Sequence, residues 1–423
     1  MRVLWFTNTP CGSMRRTIGQ STSGSWLISL EDEIKINPDI ELAVVYPSDK
    51  NEPPFKYDES QYFPIYYGHS LNPLKRLLKR YFHKDNSKMV KQYLSAINTY
   101  KPDIIHIHGT EFDFTEIISY ITDIPIVVSI QGILSPYVEK YFSGIPENIA
   151  LSADTLSERI RKVGYKNNYN LFLVNAARER KNLKRVNYII GRTTWDYSVT
   201  GLLSPNREYF HSDECMRDSF YHNEWKGGLS ESSVALVTTM SPPIYKGFET
   251  ILGAAELLKE RGLLFEWHII GNIPEKIKRM SEKYTGFKIE ECPLIFHGVL
   301  DEYKMCDILK ESDIYIQTSH IENSPNSLCE AMLVGLPSIA SYVGGTPSLL
   351  EDGVTGLFYQ DGDIYSLAGR ICELINNPRL AVSLGKKARE IALERHDRTT
   401  IAKKLERIYS EIIDRFVNAK TEL

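Results

Sequence analysis

The chain has 423 residues, beyond the length at which one hydrophobic core keeps growing, so at least two domains are expected. Hydrophobic residues make up 42% and charged residues 25%, the balance of a globular protein, and a net charge of -4 excludes the basic surface of a general nucleic-acid binder. The six cysteines (Cys11, Cys215, Cys292, Cys306, Cys329 and Cys372) form no CxxC pair and have no histidine cluster beside them, which excludes a zinc centre or disulfide frame and reads as buried thiols of a reduced compartment.

The chain opens as MRVLWFTN, already a strand and without the pattern of a signal peptide, and no run approaches the roughly 18–20 apolar residues of a membrane span. A cytoplasmic protein is expected. Short apolar runs alternate with helical periodicity, the mark of βαβ units and a mostly parallel sheet. Strands are predicted at RVLWFTN (from Arg2), LAVVYP (from Leu42), DIIHIHG (from Asp103), PIVVSIQG (from Pro125) and NYIIGRT (from Asn187), with helices over 24–36, 87–100 and 150–181. Gly24 and Ser25 open the first helix after a loop containing Pro10, Gly12 and Gly19. Small residues there let backbone approach a ligand, although the GxGxxG pattern is absent. The aperiodic stretch 51–73 reads as a long surface excursion. In LNPLKRLLKRYFHK (71–84), Lys75, Arg76, Lys79 and Arg80 interleave with Leu74, Leu77, Leu78 and Tyr81. This is either a basic solvated helix or a peripheral contact with an anionic membrane.

The polar, glycine-rich stretch from Cys215 to Ser232 is the linker candidate, giving domains 1–215 and 216–398. A second series follows: VALVTT, a helix over 246–261, then FEWHIIG, LIFHGV, DIYIQTS and PSIAS, and a final amphipathic helix over 399–420. Two doubly wound halves place the carboxyl ends of both sheets at a cleft, where open α/β sheets bind their ligands.

The stretch IENSPNSLCEAMLVG, 321–335, carries the most chemistry. A polar loop containing Pro325 follows the DIYIQTS strand and runs into an apolar helix that Asn326 or Ser327 can cap, with Gly335 at its exit. The first-turn amides, around Asn326, Ser327 and Leu328, lack intrahelical partners and carry the positive end of the helix dipole, which suits phosphate. Glu322 on the loop is free to face a reacting sugar, and Glu330 in the helix can accept from sugar hydroxyls. Either acid alone also reads as a solvated loop or helix-stabilising group. In SPPIYKGFETILGAAELL, Lys246 and Gly247 open a helix after the VALVTT strand, and the ammonium offers a point charge to phosphate oxygens. Gly344 and Gly345 follow PSIAS and permit either a close backbone approach to a bound group or a tight turn. Asp361 and Asp363 precede a helix and lack further metal ligands, so capping accounts for them better than a metal.

With KGF, HGV, ENSPNSLCEAMLVGLPSIAS, VGGTPSLLEDGVTGLFY and the terminal helix in this order, the second half resembles the retaining GT-B glycosyltransferases of family 4, the glycosyl transferases group 1. The first half resembles them more loosely, through DIIHIHG, PIVVSIQG and the glycine-opened helix. The resemblance implies an α/β fold of GT-B architecture: two Rossmann-like doubly wound domains facing a central cleft. The acceptor would lie mainly in the first domain and the nucleotide-sugar donor in the second, with helix 399–420 packing back on the first. It implies Glu330 at the ribose, Glu322 near the donor sugar, and Lys246 on the diphosphate with amides around Ser327 and Leu328. His297, Gly298 and Val299 would lie near the base, and no metal or other cofactor would be needed. Two positions depart from the family pattern. Ser241 stands five residues before Lys246, where an arginine is common, and Arg192 at the end of NYIIGRT is the candidate replacement cation. Gln131 stands where a histidine is common; it can hydrogen-bond a sugar but cannot titrate.

The activity implied is transfer of a sugar from a UDP- or GDP-sugar to a glycan or lipid-linked glycan in cell-surface polysaccharide biosynthesis, by a cytoplasmic enzyme at or near the inner face of the membrane. Two alternatives stay open on the same scaffold: a nucleotide-sugar epimerase and a non-catalytic sugar-nucleotide-binding module.

Overall fold

A computed structural model of the protein describes residues 1–18, 26–67, 87–230 and 232–421. The chain divides into two compact units, one formed by Met1–Val138, Ser157–Cys215 and Asp397–Leu423, the other by Glu139–Leu156 and Met216–His396.

Among the described residues of the first unit, the strands are β1 (Arg2–Phe6), β2 (Glu41–Ser48), β3 (Phe55–Tyr57), β4 (Ser60–Tyr66), β5 (Ile104–His108), β6 (Ile126–Ser129), β7 (Tyr188–Gly191) and β8 (Glu208–His211). They form one sheet in the order β3-β4-β2-β1-β5-β6-β7-β8, parallel except for the β3–β4 pair. The two-residue period of β1 divides the core. Val3 and Trp5 face a layer containing Leu27, Leu30 and Ile34 of helix Trp26–Ile34 and Leu405, Ile408 and Ile412 of helix Arg398–Thr421. Leu4 and Phe6 face the opposite layer, with Tyr93 and Ile97 of helix Ser87–Tyr100 and with Phe114. A buried polar chain ties the terminal helix to the sheet: Trp5 Nε1 donates to the Tyr409 hydroxyl at 2.9 Å, which lies 2.6 Å from His106 Nδ1. A hydroxyl already accepting from Trp5 has its own proton for His106. Burial lowers the His106 pKa to about 3, with the Arg192 charge acting in the same direction, so the ring is a neutral acceptor there.

In the second unit the strands are β9 (Val234–Met240), β10 (Phe265–Gly271), β11 (Leu294–Gly298), β12 (Ile314–Gln317), β13 (Ser338–Ser341) and β14 (Leu357–Tyr359), in the order β11-β10-β9-β12-β13-β14 and all parallel. Strand β12 is buried along its whole length, as a central strand covered on both faces must be. Among the described residues no helix is long and apolar enough to cross a membrane.

Four expectations are corrected. The stretch 51–73 contains β3 and β4. Pro64 is tolerated within β4 because β4 has β3 beside it only as far as Tyr62, so Pro64 sits where β4 pairs with β2 alone and the missing amide costs no ladder bond. The helix expected over 150–181 is three helices, Glu147–Ser152, Leu156–Arg161 and Tyr165–Leu183, interrupted by Lys162 at φ +52° and an extended Gly164. The linker candidate is packed structure: Met216, Phe220 and Trp225 are buried in the second unit's core, and Trp225 Nε1 donates to the Ser312 carbonyl at 2.7 Å. Finally, Glu139–Leu156 belongs to the second unit, where Lys140 pairs with Asp361 (3.2 Å) and Asp154 with Lys276 (2.7 Å).

Candidate active site

The chemistry-bearing residues of the second unit gather where β9, β12 and β13 end. After β9, Pro243 leads into the short turn Ile244–Lys246, and Gly247 at φ +80° begins helix Phe248–Glu260. A Cβ on Gly247 would lie 2.0 Å from the Thr318 carbonyl oxygen, so only glycine lets this turn press against the end of β12. The turn delivers Lys246, whose ammonium donates directly to the Glu322 carboxylate. Glu322 is buried, and the same oxygen lies 3.4 Å from Gln317 Nε2. The third loop holds Glu322 from behind: Gly345 N donates to the Glu322 carbonyl at 3.0 Å, and Gly344 at φ +48° passes so close that a Cβ would lie 1.9 Å from that oxygen. Gly247 and the Gly344–Gly345 pair are therefore the means by which an acid and a base from distant loops meet.

Helix Asn326–Val334 starts after the Glu322 loop. Its N-cap is Pro325, which makes no side-chain cap hydrogen bond. Neither Asn326 nor Ser327 takes the capping role expected of it; the Ser327 hydroxyl points to Gln317 Oε1 at 3.4 Å instead. Leu328 N is taken by the Pro325 carbonyl at 3.0 Å. The helix closes at Gly335, φ +84°. Leu328 to Val334 are all buried, and Glu330 among them is only 4% exposed. Its carboxylate is held by a guanidinium fork: Arg217 Nε donates to Oε1 at 2.6 Å and Nη2 to Oε2 at 2.7 Å. Burial raises the Glu330 pKa, and Arg217 opposes that rise. Sequence reasoning missed Arg217, because nothing in the spacing links MRDSF at the head of the second unit to a glutamate 113 residues later.

Behind Glu322 lies a second ionic group. His320 is gripped on both nitrogens, Nδ1 by Asp361 at 2.6 Å and Nε2 by Glu249 at 2.7 Å. Burial opposes the imidazolium, but the two carboxylates outweigh it and raise the pKa to about 9. Asp363 caps helix Ile364–Asn376 through Tyr365 N and Ser366 N, as the sequence suggested. Among the described residues no group of three or more His, Cys, Asp or Glu side chains is arranged to hold a metal ion.

The remaining expected site residues are placed as follows. His297 Nε2 lies 2.9 Å from His268 Nδ1 with the rings stacked, and Gly298 and Val299 stand exposed at the end of β11. Ser241, at the end of β9, is exposed. Arg192 and Gln131 belong to the first unit. Arg192 is buried, ion-paired with Glu214 and stacked 4.7 Å over Trp26, so it is not an uncommitted cation of the kind expected to replace the arginine missing at Ser241. Gln131 follows β6 beside Glu111, which sequence reasoning also missed. Glu111 Oε1 accepts from Gly132 N at 3.0 Å, and burial, reinforced by Glu179, raises its pKa to about 7. Gly24, Ser25 and the basic stretch 71–84 lie outside the described residues.

Residues 231–377, inside the second unit, match the family model described as glycosyl transferases group 1. The chain carries a glycosyl transferases group 1 domain. Among curated proteins, it is 30% identical over 215 residues to N-acetyl-alpha-D-glucosaminyl L-malate synthase of Bacillus anthracis, covering 51% of this chain and 53% of that one. It is 28% identical over 186 residues to poly(ribitol-phosphate) alpha-N-acetylglucosaminyltransferase of Staphylococcus aureus, covering 43% of this chain and 36% of that one. The matches thus span about a third to a half of these relatives. Among solved structures, sucrose-phosphate synthase of Thermosynechococcus elongatus superposes with a TM-score of 0.72 at 13% identity, covering 98% of this chain and 100% of that one. Anabaena HepE in complex with UDP and glucose gives 0.65 at 16% identity, covering 97% and 99%. At these identities the likeness is one of fold, and the group 1 domain and its companion unit have the GT-B fold.

Proposed function

We propose that this chain is a retaining glycosyltransferase that moves a sugar from a UDP- or GDP-sugar to a glycan or lipid-linked glycan acceptor, in the building of a cell-surface polysaccharide. The observation that carries the reading is the Lys246–Glu322 pair beside a helix start whose N-cap, Pro325, offers no side-chain cap. A diphosphate supplies the anion that the helix start and Lys246 are suited to receive, while Glu322 faces the sugar it carries. The group 1 domain match and the glycosyltransferase names of the curated relatives support the class, and HepE's bound UDP supports a nucleoside-diphosphate donor.

In the reaction, the bond between the anomeric carbon and the diphosphate oxygen breaks and the acceptor oxygen bonds to the same face of that carbon. The acceptor's proton passes to an oxygen of the departing diphosphate, so no protein base and no metal are needed. Negative charge grows on the diphosphate as the bond breaks. Lys246 and the amides of Asn326 and Ser327 stabilise it, a class of interaction worth several kcal/mol where water is excluded. Glu330 holds the ribose.

The test is transfer itself. A thermal-shift panel of UDP- and GDP-sugars identifies the donor, and transfer from it to glycan and lipid-linked acceptors is followed by mass spectrometry, with NMR reporting the anomeric configuration. A new glycosidic bond with the donor's configuration is expected. An inverted product would sink the retaining mechanism, an isomerised free nucleotide sugar would point to an epimerase, and tight donor binding without any product would leave a binding module.

A further inference from the structure

We propose that Arg217 is a positioning residue for nucleotide recognition: its fork fixes the Glu330 carboxylate so that the acid's remaining lone pairs can accept from ribose hydroxyls. The inference rests on the reading of Glu330 as the ribose ligand and adds how that ligand is kept competent. Glu330 lies in a helix whose residues from Leu328 to Val334 are buried, next to Leu328, Cys329, Ala331 and Met332. An acid in such surroundings, left alone, takes up a proton or turns away, and a protonated carboxyl loses much of its strength as an acceptor. Arg217 removes both outcomes. Its Nε and Nη2 hold one carboxylate oxygen each, at 2.6 and 2.7 Å, which fixes the plane of the acid.

The guanidinium is itself immobilised. It lies 4.8 Å over the Phe220 ring, Nη2 lies 3.3 Å from Met305 Sδ, and the flanking Met216 and Phe220 are buried. A carboxylate has about four acceptor positions, and the fork uses two, one on each oxygen. One position is left on each oxygen, and a ribose hydroxyl can donate there. A lysine in place of Arg217 would keep the charge and lose the paired geometry.

The experiment compares full-length wild type, Arg217→Met and Arg217→Lys. Calorimetry measures binding of UDP and GDP, each beside its 2′,3′-dideoxy counterpart. Wild type is expected to prefer the ribonucleotide it recognises by about tenfold or more, the scale of hydrogen bonds to a charged group. In Arg217→Met the preference falls below about threefold, while the dideoxy nucleotide binds within about threefold of wild type because the phosphate seat is untouched. Arg217→Lys also loses most of the preference, and it decides the question if the methionine variant does not fold. A merely structural arginine would weaken both nucleotides alike and leave their ratio intact, and that result overturns the role of Arg217 alone. Equal binding of both forms by wild type, in both pairs, would remove the ribose from Glu330 and overturn the inference together with that part of the proposed function.

Discussion

Lys246 donates its ammonium hydrogen to Glu322, a residue 76 positions later, and neither side chain reaches the other except through glycine turns at the ends of β9 and β13. On the proposed function a ligand separates the pair: a diphosphate takes the cation and a sugar takes the acid. Glu322→Gln removes the negative charge while keeping the shape. It is expected to lower kcat on the order of 10²–10³-fold with little change in nucleotide affinity. On the same reading Lys246→Ala should lower both kcat and donor affinity, because the ammonium would meet the diphosphate before and during bond breaking. Initial-rate kinetics with the identified donor check both variants. A Glu322→Gln enzyme turning over at the wild-type rate would exclude the acid from the chemistry.

How legible this arrangement was in the sequence depends on distance along the chain. The Lys246-Gly247 turn, the Glu322 loop, Gly335 at the helix exit and the Asp363 cap are all local: each is dictated by residues within a few positions and was readable from spacing. The Arg217–Glu330 fork, the Glu111–Gly132 contact and the His320 clamp join residues from different βα units, and no periodicity encodes those meetings. The same division holds for the fold. Apolar runs such as RVLWF announced the central strands, whereas β4 lies in the aperiodic stretch 51–73, where Pro64 is tolerable because β4 pairs there with β2 alone. The linker candidate misled for another reason. Its composition is polar, yet three of its side chains, Met216, Phe220 and Trp225, are buried in the second unit's core and hold it there.

Gly344→Ala tests whether the third loop positions Glu322. The added Cβ would lie 1.9 Å from the Glu322 carbonyl oxygen, so backbone must move, and the residue must also hold φ near +48°. A displacement of about 1 Å at a reacting group costs up to about 100-fold in rate. The expected result is a kcat/KM lowered tenfold or more with a melting temperature only a few degrees down. A variant with wild-type kinetics would show that this loop does not set the position of the acid.

Tyr409→Phe tests the attachment of the terminal helix to the first unit's sheet. The hydroxyl serves both Trp5 and His106, and its removal leaves a buried indole N–H and a buried imidazole nitrogen without their partner. A loss of about 1–3 kcal/mol is expected from the orphaned groups, read as a lower denaturation midpoint in urea at unchanged slope. Tyr409→Leu, which also removes the ring's packing in the core, should cost more. Equal stability of wild type and Tyr409→Phe would mean that the polar chain contributes nothing net.

The His320 clamp predicts a pH dependence with a definite sign. The ring's pKa stands near 9 in the folded protein against 6.5 ordinarily, because the carboxylates of Asp361 and Glu249 outweigh the burial that opposes its charge. Lys140, paired with the same Asp361, completes the cluster. A group whose pKa is raised by folding adds stability that is fully present below pH 6.5 and is lost as pH climbs through about 9. The shift corresponds to roughly 3 kcal/mol. Urea unfolding of the full chain between pH 6 and pH 10 should therefore show stability falling across that window, and His320→Asn should flatten the fall. If the variant keeps the wild-type slope, the loss belongs to other titrating groups and the imidazolium is not what holds Glu249 and Asp361 together.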